Sequence, residues 1–446
     1  MTAEAKRAHA QARRILGSHR QLNLATQGMR IWCEVAPFRL EGEDLLCTLR
    51  EGSRSLVNVR VNPRVSFSIG GSNGGGAVRG SGIARPVPGN GAAVSISPYR
   101  FEIDGSAPGS PAGRAIVKKG RDWRIEDGAG PAPRSRAGLA GRLGFWLKAM
   151  RAVSFPLSIL PVVLGTVLAL MRGAFDPLVF LLSLVGGVAA HAGANLVSDY
   201  NDFRKGIDTP DALSSHPGAL VDESLPPERI LAASFVLSLL AAAAGTLLAV
   251  QVGYAILLIG AVGLLGGILY TSGSFAYKYR GLGELFIFFL MGPLMVSGAY
   301  FVQLRRVDLL PVVLSLPLGL LVASVTLANN LRDIVDDRKS GTRTLPMRMG
   351  IPAAKRLYCG MLILPYALVG GAVARDPSLF PLLVTLLSLP AAVIAIRAVW
   401  TSGDTAEEIR ARSAERRYPL NSIRLHLRFG VLLIAGCLLS WLFVRP

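Results

Sequence analysis

From Met150 to its end, the chain repeats apolar runs of about 20 residues, and this repetition limits its fold more than any other feature. An α-helix of that length spans roughly 30 Å, which is the thickness of the hydrocarbon core of a bilayer. Helices satisfy their own backbone hydrogen bonds in lipid, so the runs predict a polytopic all-α membrane bundle of about nine transmembrane helices. The predicted spans are 153–171, 177–197, 229–249, 253–272, 284–303, 309–330, 356–374, 379–399 and 426–444.

The composition agrees with a membrane protein. Of 446 residues, 51% are hydrophobic and 17% charged, which is too apolar for an ordinary soluble domain. The net charge of +19 could indicate nucleic-acid binding. The basic residues are scattered over the connections between apolar runs, however, where anionic lipid or a diphosphate substrate accounts for them more simply. We therefore expect the lipid bilayer as a partner and no nucleic acid.

The start of the chain, "MTAEAKRAHAQARRILGSHR", lacks the apolar core of a signal peptide, so the N-terminal domain is expected to be cytoplasmic. The connections 198–228, 273–283, 331–355 and 400–425 then lie on the same side. They hold most of the Lys and Arg of the membrane region, as the positive-inside rule requires. We expect a multi-pass protein of the cell inner (plasma) membrane.

Residues 1–130 differ in kind from the rest. Alternating β-branched and aromatic residues, interrupted by turn sequences such as "EGED" and "GGSNGGG", predict a small all-β domain. A linker rich in Pro, Gly and Arg follows at 131–145, and the transmembrane domain covers 146–446. The four cysteines have no metal-ligand spacing and are interpreted as reduced, mostly buried thiols.

Two polar motifs interrupt the apolar pattern. "NLVSDYND" (195–202) and "NNLRDIVD" (329–336) share the spacing N-x-x-x-D-x-x-D, and each closes an apolar run. On a helix this spacing places the three polar residues on one face. The residues concerned are Asn195, Asp199 and Asp202 in the first motif, and Asn329, Asp333 and Asp336 in the second, with Asp337 beside them.

A charge at bilayer depth costs roughly 2.5–3.5 kcal/mol on insertion scales, so a metal ion, a basic partner or a bound substrate must offset it. Two facing carboxylate stripes would repel each other unless a cation bridged them, and Mg²⁺ typically takes one or two carboxylates plus phosphate oxygens. The motifs therefore predict a diphosphate held through Mg²⁺. Solvated helix caps are the alternative. The cations expected to contact the diphosphate are Lys205, Lys278, Arg280, Arg332, Lys339 and Arg343.

The stretches "SDYNDFRKGID" (198–208) and "NNLRDIVDDRKSGTRTLPMRMG" (329–350) resemble the UbiA superfamily of intramembrane prenyltransferases. The nearest subgroup is the 1,4-dihydroxy-2-naphthoate polyprenyltransferases of menaquinone biosynthesis. "YKYRGLGELFIFFLMGPLMVSGAYFVQ" (277–303) and "SIRLHLRFGVLL" (422–433) extend the likeness. The resemblance implies a UbiA-like fold and Mg²⁺-dependent transfer of a polyprenyl group from polyprenyl diphosphate to an aromatic acceptor.

The resemblance also implies roles for single residues. The metal ligands would be Asp199, Asp202, Asp333 and Asp337, and Asn195, Asn329 and Asn330 would complete the catalytic set. Tyr200, Tyr270, Asp208 and Arg151 would lie near the acceptor or the allylic cation, which aromatic faces can shield. Alternatives stay open: the tyrosines as interfacial belt residues, Arg151 as a topology anchor, and His191 and His426 as packing or hydrogen-bonding residues.

In the N-terminal domain, "SRSLVNVRVNPRV" resembles the FMN-binding split barrel of the pyridoxamine-phosphate-oxidase type. The resemblance implies that Ser53, Arg54 and Asn58 would contact an FMN phosphate, with Ser55 standing where that family has Lys. A barrel that serves dimerisation or regulation is the alternative. Two other functions remain for the whole chain: a membrane-anchored flavin or haem sensor with a non-catalytic helical half, and a prenyltransferase with a different acceptor.

Overall fold

The chain forms two compact units in its computed structural model: Met1–Gly138 with Asn201–Pro226, and Leu139–Tyr200 with Pro227–Pro446. The helical part is described almost without interruption, and the N-terminal part mainly through its strands. The described residues are 10, 12, 16, 21–27, 31–42, 44–49, 55, 59, 64–69, 77–87, 93–104, 114–119, 122–127, 139–205, 207, 220 and 225–444.

In the described part of the first unit, eight strands make one antiparallel sheet. Its order is β3-β2-β1-β4-β5-β6-β7-β8, and β3 also pairs with β6, so β1 to β6 close into a barrel-like sheet. The prediction of an all-β N-terminal part is confirmed. The strands are β1 Gln21–Gln27, β2 Ile31–Glu41, β3 Asp44–Thr48, β4 Arg64–Ile69, β5 Ala77–Pro86, β6 Ala93–Asp104, β7 Arg114–Lys119 and β8 Asp122–Asp127.

Alternation along the strands builds the core of this sheet. Val65, Phe67 and Ile69 of β4 are buried at every second position, as a sheet with one covered face requires. The pairing of β5 with β6 shifts register next to Gly82, where an added Cβ would lie 2.7 Å from Ile96 Cγ2. Burial raises the pKa of the Cys47 thiol to about 12, so this free cysteine is unreactive at neutral pH.

The second unit is helical. Among the described residues, eight helices are long and apolar enough to cross a membrane, which confirms a multi-pass membrane protein. The helices are α1 Leu139–Ala149, α2 Pro156–Met171, α3 Pro177–Arg204, α4 Pro227–Val252, α5 Ala255–Leu269, α6 Gly283–Leu304, α7 Leu309–Arg332, α8 Ile334–Ser340, α9 Leu345–Met349, α10 Ile351–Arg375, α11 Pro377–Trp400, α12 Ala406–Arg416 and α13 Tyr418–Val444.

The predicted spans differ from the helices at several ends, and α3 for example runs seven residues past its predicted end at 197. The run 253–272 contains α5, which has only 15 residues because the chain turns after Leu269. It is therefore shorter than the roughly 20 residues that a membrane-spanning helix needs. Helix α10 begins five residues before the predicted start at 356, since "IPAAKR" continues the helix into the polar connection. Helix α13 begins at Tyr418 instead of 426 for the same reason.

Helix α7 lies at the centre of the helical unit and packs against α6, α10 and α13. It approaches α6 closely because glycines face each other: a Cβ on Gly292 would lie 2.7 Å from Gly319 Cα. Pro293 follows Gly292 and lacks a backbone N–H, and here α6 widens into a π-helical turn at Leu290–Leu294. The sequence "MGPL" therefore shapes the central helix contact.

One apolar cluster shows which helix ends lie together. Leu157 of α2 packs with Val322 and Val325 of α7, and Ile287 of α6 and Ile423 of α13 pack against them. Leu157, Ile287 and Ile423 lie within the first two turns of their helices, whereas the two valines lie in the second half of α7. The starts of α2, α6 and α13 and the end of α7 are thus at the same end of the helical unit, which we call the motif end.

We expect Gly292→Ala to lower the thermal stability of the detergent-solubilised protein, because the new methyl group forces α6 away from α7. Overpacking of this kind costs about 1–3 kcal/mol. Gly360→Ala in α10 is the matched control, since nothing lies within 4 Å of a Cβ there. Thermal unfolding followed by intrinsic fluorescence measures both variants. Equal melting temperatures would contradict the close approach.

Candidate functional site

The first acidic motif lies on the last turns of α3. Asp199 and Asp202 are only 8% and 3% exposed, so neither carboxylate faces the lipid. Arg151, which precedes α2, donates from Nη2 to Asp199 Oδ1. The backbone of Arg151 has φ 57° and ψ 48°, the left-handed conformation that is uncommon for a non-glycine residue. Arg151 is therefore a direct partner of the motif in addition to any role as a topology anchor.

A polar network on α3 positions the segment that carries Arg151. Asn195 Nδ2 donates to Met150 O at 3.1 Å and lies 3.4 Å from Ser154 Oγ. One turn earlier, His191 Nδ1 lies 3.1 Å from Ser158 Oγ. Asn195 thus anchors the backbone before α2, and the expectation that His191 is a hydrogen-bonding residue is met. The two serines were missed in the sequence because a single hydroxyl in an apolar helix carries no pattern.

The second motif does not lie on one continuous helix, which corrects the expectation from its spacing. Helix α7 ends at Arg332, Asp333 has φ −90° and ψ 5°, and α8 begins at Ile334. The backbone hydrogen bonds nevertheless continue across the break, from Asp333 N to Asn329 O at 2.9 Å and from Asp337 N to Asp333 O at 2.8 Å. Asp333 and Asp337 therefore remain one turn apart.

An arginine also pairs with the first aspartate of this second motif. Arg332 is 7% exposed, and its Nε and Nη2 each donate to a carboxylate oxygen of Asp333 at 2.6 Å. Bidentate pairs of this kind are among the strongest charge-assisted hydrogen bonds. Asp337 is 3% exposed and accepts from Thr344 Oγ1 at 3.3 Å. Each motif thus joins a buried acidic face to a guanidinium group at the motif end.

Asp336 belongs to the repeated spacing but not to the metal set that the resemblance implies, and it has a different partner. Arg410 of α12 lies 2.9 Å from it, Nη1 to Oδ1, with both side chains mostly buried. The N-terminus of α12 is well defined, because Thr405 and Glu408 form a capping box there. In the sequence, the connection 400–425 stands out only as basic, so the pairing of Arg410 with the motif was missed.

A second group of cations lies before α6. Lys278 Nζ is 5.9 Å from the ring centroid of Tyr270, and Arg280 Cζ is 5.6 Å from that of Phe275. Gly281 has φ 67°, and a Cβ on it would lie 2.7 Å from Arg348 Cδ. The connection 277–281 therefore packs against the connection that follows the second motif, and Arg348 joins the candidate cations.

The remaining predicted residues are placed as follows. Lys205 and Arg343 are exposed, whereas Tyr200, Tyr270 and Asn329 are half-buried. Asn330 is buried and donates to Glu284 Oε1 at 2.8 Å, a partner that the sequence did not indicate. Five predictions lie outside the described residues or side chains and stay predictions: Asp208, Lys339, and the FMN contacts Ser53, Arg54 and Asn58.

The carboxylates fit Mg²⁺ as shared ligands. Within the described parts of the chain, no three His, Cys, Asp or Glu side chains group closely enough to hold a metal ion by themselves. Each motif instead offers carboxylates one turn apart, and Mg²⁺ usually combines one or two carboxylates with water and phosphate oxygens. The donor set therefore suits an ion that arrives with a diphosphate.

We expect the pair Asp336–Arg410 to couple α12 to the second motif, and a double-mutant cycle measures that coupling. Asp336→Asn and Arg410→Gln should each lower thermal stability, and the double variant should lose less than the sum by about 0.5–3 kcal/mol. Glu407→Gln is the control, because this residue is exposed on the same helix. Additive losses would show that the two side chains do not interact in the folded protein.

The helical part of the chain is similar to known proteins. The model of the UbiA prenyltransferase family matches residues 158–418. The chain is 32% identical to a 1,4-dihydroxy-2-naphthoate octaprenyltransferase of Bacillus subtilis over 294 residues, 64% of this chain and 89% of that one. It is 37% identical to the protein of that name from Mycobacterium tuberculosis over 218 residues, 49% of this chain and 74% of that one.

Two further similarities were found. The human UbiA prenyltransferase domain-containing protein 1 is 32% identical over 299 residues, which cover 66% of this chain and 83% of that one. A solved UbiA homolog from Archaeoglobus fulgidus, bound to GPP and Mg²⁺, aligns with 65% of this chain and 99% of its own at 13% identity and a TM-score of 0.45.

Proposed function

Since the chain belongs to the UbiA prenyltransferase family, we propose that it transfers a polyprenyl group from polyprenyl diphosphate to 1,4-dihydroxy-2-naphthoate with the help of Mg²⁺. One observation supports this most: two buried acidic motifs, each with an arginine on its first aspartate, lie at the same end of an apolar helical unit. The acceptor is inferred from the names of the two bacterial relatives, which are both 1,4-dihydroxy-2-naphthoate octaprenyltransferases.

The four aspartates of the metal set divide between the two motifs. Asp199 and Asp202 on one side, and Asp333 and Asp337 on the other, would hold Mg²⁺ against the diphosphate oxygens. A bound Mg²⁺ supplies Lewis-acid stabilisation of the charge that develops on the leaving diphosphate. The aspartates themselves would fix the position of the ion, and with it the place where the charge of the leaving diphosphate is neutralised.

Cationic side chains complete the diphosphate site. Arg332 can offer a planar pair of donors to phosphate oxygens, whereas Lys278 acts as a point charge. Both lie at the motif end, where the connection 277–281 packs beside the connection after α8. These groups bind the departing diphosphate, so the allylic C–O bond breaks with its electron pair on the phosphate oxygen.

The ring of the acceptor attacks the carbon that the diphosphate leaves. The new C–C bond forms at the ring carbon that bears the carboxylate, which leaves as CO₂ while its bonding electrons return to the ring. Tyr270 is a candidate to shield the allylic cation with its ring face. Tyr277, by contrast, is a packing residue: burial raises the pKa of its phenol, and its hydroxyl donates to Gly266 O at 2.7 Å.

The orientation of the protein forms part of the proposal. The motif end carries the Arg- and Lys-rich connections, so it would face the cytoplasm of the cell that bears this protein. The N-terminal domain would lie on that side as well. Polyprenyl diphosphate would then enter from the inner membrane with its charged head at the cytoplasmic surface.

We expect Asp333→Ala to abolish prenyl transfer, because it removes both a metal ligand and the partner of Arg332. Membranes that contain the protein are given polyprenyl diphosphate and dihydroxynaphthoate with Mg²⁺ present or chelated, and lipid products are measured by mass spectrometry. Asp376→Asn is the control, since Asp376 is an exposed carboxylate at the opposite end of α10. Turnover in the Asp333 variant, or without any divalent ion, would exclude the proposed metal role.

We expect Arg332→Gln to raise the KM for polyprenyl diphosphate by roughly 10- to 100-fold, because a charged hydrogen-bonding group is lost. Arg332→Lys should fall between this variant and the wild type, since it keeps the charge but not the bidentate geometry. The two variants are compared in steady-state kinetics at saturating acceptor. Equal KM values in all three proteins would place the diphosphate elsewhere.

A further inference from the structure

Glu284 is a buried carboxyl group that the proposed reaction has not used. It lies in the first turn of α6 and is 2% exposed. Its Oε1 accepts a hydrogen bond from Asn330 Nδ2 at 2.8 Å. Its Oε2 is buried as well and has no hydrogen-bond partner in the described part of the chain. Half of this carboxyl group is therefore satisfied by the protein, and half is available to another donor.

An oxygen in this state is unusual. Buried polar atoms in folded proteins are nearly always hydrogen-bonded, and a buried acceptor without a donor destabilises the fold. Near a membrane interior the effect is larger, because no bulk water can take the place of the missing donor. An acidic residue at position 284 is thus best explained by a ligand that brings a donor.

The surroundings of Glu284 show what kind of ligand could reach it. On one side, Asn330 comes three residues before Asp333 of the second motif. On the other side, Ile287, one turn further along α6, packs against the apolar cluster that contains Val322 and Val325. Glu284 therefore lies at the boundary between the charged motif end and the apolar interior.

The neighbouring Gly283 places Tyr270 at this boundary too. A Cβ on Gly283 would lie 3.4 Å from Tyr270 Cε2 and 3.7 Å from Thr326 Cγ2. In the proposed reaction the bond between diphosphate and prenyl chain crosses such a boundary, since the diphosphate is charged and the chain is apolar. The attacking ring has to lie next to that bond, and so within reach of this region.

Among the proposed reactants, only one can satisfy Glu284 Oε2. An ionised diphosphate has only acceptor oxygens and the prenyl chain has no polar group, so neither can donate a hydrogen bond to Oε2. The aromatic acceptor carries hydroxyl groups, which donate well to a carboxylate. On the basis of the proposed function, we propose that Glu284 accepts a hydrogen bond from a ring hydroxyl of the aromatic acceptor through Oε2, while Asn330 donates to Oε1.

The other explanation is that Glu284 only orients Asn330. In that case its loss would disturb the second motif, and the kinetics of both substrates would change together. Binding of the acceptor hydroxyl predicts a change for one substrate only. The ratio of the two KM values therefore separates the two roles.

The first measurement is steady-state kinetics of the purified full-length protein in detergent with Mg²⁺. We expect Glu284→Gln to raise the KM for dihydroxynaphthoate by roughly 10- to 100-fold, as for loss of a hydrogen bond to a charged group, and to leave the KM for polyprenyl diphosphate within about twofold. Glu228→Gln is the matched control, because Glu228 is an exposed acid in the first turn of α4 and should behave as wild type.

The second measurement uses the ligand instead of the protein. Naphthoates that lack one of the two hydroxyl groups are tested as competitive inhibitors against the acceptor. In the wild type, one of them should bind about 10-fold more weakly or worse than a non-reactive dihydroxy analogue. In Glu284→Gln that difference should disappear, because the partner of the hydroxyl group is gone.

Each outcome decides the matter. Unchanged KM for the acceptor in Glu284→Gln, an equal rise for both substrates, or a difference between analogues that persists in the variant would overturn the role of Glu284 alone. Absence of prenyl transfer to any aromatic acceptor by the wild type would overturn the proposed function, and this inference with it. If Glu284→Gln does not fold, Glu284→Asp replaces it: the shorter side chain withdraws the carboxyl group from the ring hydroxyl, so the same rise in the KM for the acceptor alone is expected.

Discussion

The structure depends on one requirement: the negative charge of the carboxylates that are buried at one end of the helical unit must be compensated. A buried carboxylate without a partner would cost several kcal/mol, on the order of 3–5 in measured cases. The chain meets this cost with guanidinium groups, Arg151 on Asp199, Arg332 on Asp333 and Arg410 on Asp336. Because arginine stays charged at any relevant pH, each pair keeps a positive charge next to its carboxylate.

The two motifs reach this compensation in different ways. In the second motif the partners are neighbours in sequence, so the pair Arg332–Asp333 forms wherever the end of α7 forms. In the first motif Arg151 comes from a distant segment. Its position depends on the hydrogen bond from Asn195 to Met150 and on the hydrogen bond between Ser158 and His191. A change on the inner face of α3 would therefore disturb the first site through Arg151, even where it leaves both aspartates in place.

The sequence predicts those parts of the structure that follow from local pattern. Apolar runs give eight of the helices, alternation gives the strands, and the repeated spacing identifies both motifs. It does not predict the break at Asp333 or the partners Arg410 and Glu284, because these depend on segments that meet only after packing. Nor does it predict that α5 is short, since its apolar run continues through Tyr270 while the backbone already turns.

The break at Asp333 explains why the two copies of the motif are not equivalent. On an unbroken helix Asp336 would repeat the place of Asp202, but α7 ends at Arg332 and α8 starts anew after Asp333. Asp336 then pairs with Arg410, whereas its neighbour Asp337 accepts from Thr344. The third position of the repeat thus attaches α12 to the second motif. The connection 400–425 is consequently part of what supports the site, although no residue of its own belongs to either motif.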